Sequence, residues 1–196
     1  MLFGRLAATG FYRTGMPVLA ALAMPGLSQV YGQGFRFWVL LTTLPDTLES
    51  LFLPIMARRS AMDEEAQRFA LVRFLKYMLI AALPAAAGAT VLGPHLTLAL
   101  FGPAWAKSAP ALTALTWVMA FTMADRPAVV YLRAQGAQRA VLRCYGAALI
   151  AKIALALYLT PRFGLMGLLT VDLTLSVLLT CAVWGRSSLT QRPHWP

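Results

Sequence analysis

The chain has 196 residues, of which 59% are hydrophobic and 12% are charged. Soluble domains are roughly 45–50% apolar and roughly 25% charged, so this chain has too little charge for an ordinary soluble surface. The net charge of +10 does not indicate nucleic-acid binding, because the basic residues punctuate apolar runs and form no continuous stripe. The composition therefore predicts an all-α integral membrane protein.

Six apolar segments follow one another along the chain, each near the roughly 20 residues that a helix needs to cross a bilayer. They are residues 6–27, 36–57, 77–100, 109–131, 141–160 and 163–184. Helices are expected because an isolated span must satisfy its backbone polar groups internally. We predict one six-helix transmembrane domain over residues 1–184 and a basic cytoplasmic tail over residues 185–196.

The first segment has two readings. Arg5 and Arg13 precede a short apolar run that starts at Pro17, which faintly resembles a signal peptide. More spans follow, so a span that carries prolines is the preferred reading.

The connection over residues 57–77 predicts a short cytoplasmic helix that runs into the third span. Ser60 and Asp63 form a capping-box-like start, and acidic residues sit where a helix N-terminus favours negative charge. Glu64 and Arg68 are an i,i+4 pair. A solvated face without a regulatory role is an equally good reading of this stretch.

Basic residues in the connections and at the two ends are unevenly distributed. Twelve fall in four regions that share one side of a six-span topology: Arg5, Arg13, Arg58, Arg59, Arg68, Arg73, Lys76, Arg133, Arg139, Arg143, Arg186 and Arg192. The opposite connections hold three, Arg36, Lys107 and Arg162. By the positive-inside rule both termini are cytoplasmic, and the turns at residues 101–109 and 160–164 lie outside.

Apart from the basic residues counted above with the connections, six charged side chains lie inside the predicted spans and are the candidate site residues: Asp46, Glu49, Asp125, Arg126, Lys152 and Asp172. A charge within the bilayer is costly, so such side chains usually face a cavity or one another. Asp46 and Glu49 share a helix face and could bind a cation or a proton, or line a wet lumen. Arg126 lies near a span end and could instead snorkel, with Asp125 as a local partner.

Lys152 and Asp172 each lie ten residues from Arg162, the centre of the turn between the last two segments. At 1.5 Å per residue they reach similar depths on antiparallel neighbours. The sequence leaves open whether they form an ion pair or whether Lys152 faces a substrate lumen.

No catalytic or metal-binding pattern is visible. Cys144 and Cys181 lie in separate apolar runs without a CxxC partner, and His95 and His194 have no ligand spacing. There is no nucleophile–base set and no glycine-rich phosphate loop. We therefore expect no enzyme activity, no metal and no cofactor.

Three stretches together resemble a known family. They are "LFLPIMARRSAMDEEAQR", "LALFGPAWAKSAPALTALTW" and "LTPRFGLMGLLTV". In this order and spacing they are similar to the polysaccharide-export branch of the multidrug/oligosaccharidyl-lipid/polysaccharide flippase superfamily, over about residues 30–184.

The resemblance implies one six-helix lobe, the C-terminal one, of a two-lobe flippase in a bacterial inner membrane. Its implied activity is to move a polyprenyl-diphosphate-linked saccharide across the bilayer by alternating access, with a second six-helix lobe as partner. Arg126 and Lys152 are then candidates for the anionic headgroup, and Asp46, Glu49, Asp125 and Asp172 for the lumen or for cation or proton coupling. The alternatives are a cation- or proton-coupled multidrug exporter lobe, or a scaffold subunit of polysaccharide assembly that does not transport.

Overall fold

A computed structural model describes residues 2–59 and 64–190 of the chain. The predicted capping box at Ser60 and Asp63, and Arg192 and His194 of the predicted tail, lie outside the described residues. Within those residues the chain is almost entirely helical and contains no strand. The α-helices are α1 (Leu2–Arg13), α2 (Gly15–Ala21), α3 (Pro25–Arg59), α4 (Glu64–Phe101), α5 (Ala109–Ala134) and α6 (Gln138–Thr190).

The first predicted segment, residues 6–27, is not one helix. It is divided into α1 and α2, and the chain then turns at Ala23, whose φ is 53°. Pro25 begins α3 at the position where a proline fits best, since the first helical residue has no intrahelical use for its N–H. Residues 25–35 therefore belong to α3, the helix that contains the second predicted segment, and α3 starts well before the predicted residue 36.

The third and fourth predicted segments lie within single helices. α4 begins at Glu64 and continues unbroken to Phe101, so the predicted short helix runs directly into the third segment. Gly102, with φ of 81°, ends α4, and a 3₁₀-helix over Pro103–Ser108 leads into α5. α5 starts at residue 109 as predicted and ends three residues beyond the predicted boundary.

α6 is a hairpin of two antiparallel arms. Gly164 has φ 60° and ψ −139°, a conformation that disfavours side chains, and it separates the first arm (residues 138–163) from the second arm (residues 165–190). A Cβ on Gly167 would lie 2.6 Å from the carbonyl oxygen of Leu159, so a residue without a side chain lets the arms meet closely. The second arm stays helical to Thr190, and residues 185–190, predicted as tail, extend the helix.

α5 lies at the centre of the bundle and packs against α3, α4 and α6. The indole N–H of Trp184 on the second arm donates a hydrogen bond to the carbonyl oxygen of Ala124, 2.9 Å away. Most of the α5 side chains are buried, and they include Thr116, Thr122 and Asp125. The core is therefore built around a helix that carries several polar groups.

Two helices in the described part of the chain are long and apolar enough to cross a membrane, Glu65–Phe101 and Gln138–Ser187. The second contains both arms of α6. Large apolar side chains are also exposed on the outside of the bundle, among them Val91 at 74% and Ile150 at 71%. Extensive exposed apolar surface is unusual for a soluble monomer. Both observations favour association with a membrane, whereas six bilayer crossings stay a prediction.

Candidate functional site: a polar cavity with two bridged arginines

Two arginines of α5 face α3 and share one carboxylate. Arg126 and Arg133 are seven residues apart, which is close to two helical turns, so they project from one face of α5. Arg133 Nη1 lies 2.8 Å from Glu49 Oε1, and Arg126 Nη1 contacts the other oxygen, Glu49 Oε2. Arg126 Nη1 also lies 3.0 Å from Asp46 Oδ1. We call Asp46, Glu49, Arg126 and Arg133 the open cluster.

The open cluster lines a cavity of about 410 Å³ between α1, α3, α5 and the first arm of α6. The lining residues are Ala8, Thr9, Tyr12, Arg13, Trp38, Thr42, Asp46, Glu49, Ser50, Arg126, Val129, Arg133 and Tyr145. Three arginines against two carboxylates give these side chains a net positive charge. The Asp46 side chain is 60% exposed, whereas that of Glu49 is 9% exposed. Glu49 is thus the carboxylate that holds the arginines together.

Asp125 lies beside the cavity on α5 and is held by two tyrosines of the lining. The hydroxyls of Tyr12 and Tyr145 donate to Asp125 Oδ2 over 3.1 Å and 2.7 Å. The other oxygen, Oδ1, is buried without a hydrogen-bond partner among the described residues. Arg126, the next residue along α5, forms its ion pairs with Asp46 and Glu49 of α3. The local pairing of Asp125 with Arg126, one of the readings of the sequence, is not among the ion pairs of the described residues.

A second group of charges is sealed within the bundle. Lys152 Nζ on the first arm lies 2.9 Å from Asp172 Oδ1 on the second arm, and both residues are 1% exposed. Nζ donates a hydrogen bond to the carbonyl oxygen of Phe11 at 2.6 Å and lies 4.6 Å from the centre of the Phe11 ring. The Tyr31 hydroxyl donates to Asp172 Oδ2 at 2.9 Å. We call Tyr31, Lys152 and Asp172, with Phe11, the closed cluster.

The structure therefore separates the six predicted site residues into groups. Asp46, Glu49 and Arg126 meet on the cavity, and Asp125 lies next to it. The ion pair between Lys152 and Asp172, one of two open readings, is confirmed. Neither of these two residues lines the cavity.

The sequence pattern does not identify Arg133, which lies beyond the predicted end of the fourth segment, or the tyrosines that hold Asp125. The seven-residue spacing between Arg126 and Arg133 was a signal that could have found the pair. For Tyr12 and Tyr145 the sequence carries no comparable signal, because they lie in the first and fifth segments.

Within residues 2–59 and 64–190, no group of three or more His, Cys, Asp or Glu side chains is placed to hold a metal ion.

Compared with known proteins, the chain matches no protein-family model, no curated protein and no solved structure.

Proposed function

We propose that this chain is one lobe of a membrane transporter and that its cavity receives the phosphate groups of a lipid-linked saccharide. The observation that carries the proposal is the pair of α5 arginines bridged by Glu49. Phosphate oxygens are bound by the same charge-assisted hydrogen bonds that a carboxylate makes with arginine. A phosphate that displaced Glu49 would meet two guanidinium groups already held on one face.

The size and charge of the cavity support this use. Ligand pockets span roughly 300–1,000 Å³, so about 410 Å³ accommodates a diphosphate headgroup but not a whole saccharide lipid. The rest of such a ligand would need a path completed elsewhere, which agrees with the second six-helix lobe implied by the resemblance. A polar cavity open between helices also favours a transporter over a scaffold, for which we expect six helices packed without a groove.

In this proposal Lys152 takes a structural role and Arg133 replaces it at the headgroup. The closed cluster keeps Lys152 paired and covered, whereas Arg133 is 18% exposed at the cavity. The host membrane is the bacterial inner membrane, with both termini in the cytoplasm, by the resemblance and by the bias of basic residues.

Equilibrium binding of farnesyl diphosphate to the detergent-solubilised protein tests the proposal. Arg126→Gln and Arg133→Gln should each weaken binding by roughly tenfold or more, because a hydrogen bond to a charged group contributes roughly 1.5–3 kcal/mol. Arg36→Gln is the matched control, since Arg36 is exposed on α3 outside the cavity lining. Unchanged affinity in both cavity variants would exclude the proposed site.

Glu49→Gln separates this proposal from the second candidate, a cation- or proton-coupled exporter lobe. That candidate is favoured by the carboxylates Asp46 and Glu49 on one face and by the buried Asp125. If Glu49 occupies the phosphate site, its neutralisation frees the arginines and tightens farnesyl diphosphate binding. If Glu49 is instead a cation ligand, the same variant weakens sodium binding and leaves farnesyl diphosphate unbound.

The topology has a direct test with an impermeant thiol reagent, after Cys144 and Cys181 are replaced. Ser108 is 1% exposed, so the external cysteine is better placed at its exposed neighbour Lys107. Lys107→Cys should be labelled from outside and Ser60→Cys from the cytoplasmic side. External labelling at Ser60→Cys alone overturns the orientation.

A further inference from the structure

A groove with a volume of about 500 Å³ runs along the outside of the α6 hairpin, between its two arms. Its walls are apolar: small side chains of the first arm, Ala147, Ala148 and Ala151, face the second arm, which contributes Leu175, Leu178, Leu179 and Ala182. The groove has one polar end, where Arg143 of the first arm and Arg186 of the second line it. It is separate from the polar cavity and shares no lining residue with it.

The two arginines lie at the same level of the hairpin. Arg143 precedes Gly164 by 21 residues and Arg186 follows it by 22. At about 1.5 Å per residue, both lie roughly 32–33 Å along their arms from the turn. The hydrocarbon core of a bilayer is roughly 30 Å thick, so arms that cross it place both guanidinium groups at the opposite water boundary. That boundary is where lipid phosphates lie.

We propose that this groove binds one anionic phospholipid of the leaflet on the Arg143 side. An acyl chain lies between the arms against the alanines, and the phosphate lies between Arg143 and Arg186. Charge complementarity selects this occupant, since two arginines flank the polar end and the described residues of the lining include no carboxylate. A helix of a second copy would bury the Arg143 guanidinium against an apolar face, which costs several kcal/mol. The proposal needs only that the arms of α6 cross a bilayer and is independent of any transport activity.

Native mass spectrometry of the detergent-solubilised full chain tests the lipid site. The probe is an equimolar mixture of phosphatidylglycerol and phosphatidylcholine. We expect retention of one phosphatidylglycerol in preference to phosphatidylcholine. The preference should fall roughly tenfold in Arg143→Gln and further in the double variant with Arg186→Gln. Arg139→Gln is the matched control, because it removes the same charge one turn earlier on the same arm, where Arg139 is exposed and does not line the groove.

The apolar part of the site has its own variant. Ala182→Leu fills the groove and should lower retention of both lipids, whereas Ala154→Leu, exposed on the first arm outside the groove, should not. Cys144 lines the groove and gives a second readout in a Cys181→Ala background. Its reaction with a maleimide should slow when phosphatidylglycerol is added, while inorganic phosphate alone should give no protection.

Four outcomes would overturn the proposal. They are no preference for phosphatidylglycerol, an equal loss in Arg139→Gln, equal protection of Cys144 by inorganic phosphate, and lipid retention unaffected by Ala182→Leu. The third would identify a free-phosphate site instead, and the fourth a headgroup contact without a seated chain.

Discussion

The open and closed clusters both pair carboxylates with basic side chains, but they differ in how far those side chains are exposed. Glu49 holds two arginines at the wall of a cavity, where the Arg126 side chain is 22% exposed. Asp172 holds one lysine where the side chains are 1% and 2% exposed, and a tyrosine hydroxyl and a backbone carbonyl complete the contacts. A charge at a cavity wall can exchange its partner for a ligand, whereas a sealed charge has no ligand to exchange with. Access therefore decides which cluster can exchange a protein partner for a ligand.

α1 contacts the closed cluster and Asp125 beside the cavity through consecutive residues. The carbonyl oxygen of Phe11 accepts from Lys152, and the hydroxyl of Tyr12 donates to Asp125 beside the cavity. On the first arm, Tyr145 and Lys152 are likewise about two turns apart. Tyr145 donates to Asp125, and Lys152 belongs to the closed cluster. The closed cluster thereby fixes the elements that form the cavity wall. We expect substitutions in it to act on folding and those in the open cluster to act on binding.

The largest effect is expected at the closed ion pair. Lys152→Ala and Asp172→Ala each leave the opposite charge buried and unpaired, which costs about 3–5 kcal/mol. The double variant should be less destabilised than either single variant. Exchange of the two residues should recover stability in part, because the exchanged cation no longer meets the carbonyl oxygen of Phe11. Folded yield and thermal unfolding in detergent measure these effects.

Lys107 is an exposed lysine of the 3₁₀-helix, so Lys107→Ala is the control for that series. This variant should leave folded yield and thermal unfolding unchanged. Single-variant effects that simply add in the double variant, with no recovery on exchange, would show that the two charges do not stabilise each other.

An intermediate effect is expected for Tyr31→Phe. This change removes the hydroxyl that donates to Asp172 Oδ2 and leaves a buried acceptor without that partner, which costs about 1–3 kcal/mol. Tyr158→Phe is the control on the exposed surface of the first arm. Thermal unfolding compares the two variants. Equal, small shifts would mean that Asp172 relies on Lys152 alone.

Some parts of this structure were accessible from sequence because a local rule governs them. The start of α5 follows from the turn residues that precede one apolar run. The pairing of Lys152 with Asp172 follows from their equal spacing about a tight turn, which fixes depth on two antiparallel helices. In both cases the deciding distance lies within a short stretch of chain.

Contacts between side chains on different helices depend on how each helix is rotated about its axis. The spacing of residues along one helix does not determine that rotation. The sequence places Glu49 and Arg133 on different segments and contains nothing that turns them toward each other. The start of α3 could not be predicted for a different reason. A proline can mark the end of one helix or the first residue of the next, and the sequence alone does not say which role Pro25 has. Because Pro25 is the first residue of α3, the helix starts eleven residues before the predicted residue 36.

The smallest effect is expected for Asp46→Asn in the open cluster. The Asp46 side chain is 60% exposed, and exposed ion pairs contribute about 0–1 kcal/mol, because water solvates both partners and salt screens them. Arg126 also keeps its contact with Glu49 in this variant. Glu49→Gln is the comparison, and its thermal shift should be larger, since Glu49 is nearly buried and contacts both arginines. For farnesyl diphosphate, Asp46→Asn should strengthen binding slightly by raising the positive charge of the cavity. A thermal shift for Asp46→Asn as large as that for Lys152→Ala would contradict the division into open and closed clusters. The exposed Asp46 carboxylate would then contribute as much to the free energy of unfolding as a buried charge, although water solvates it in the folded state.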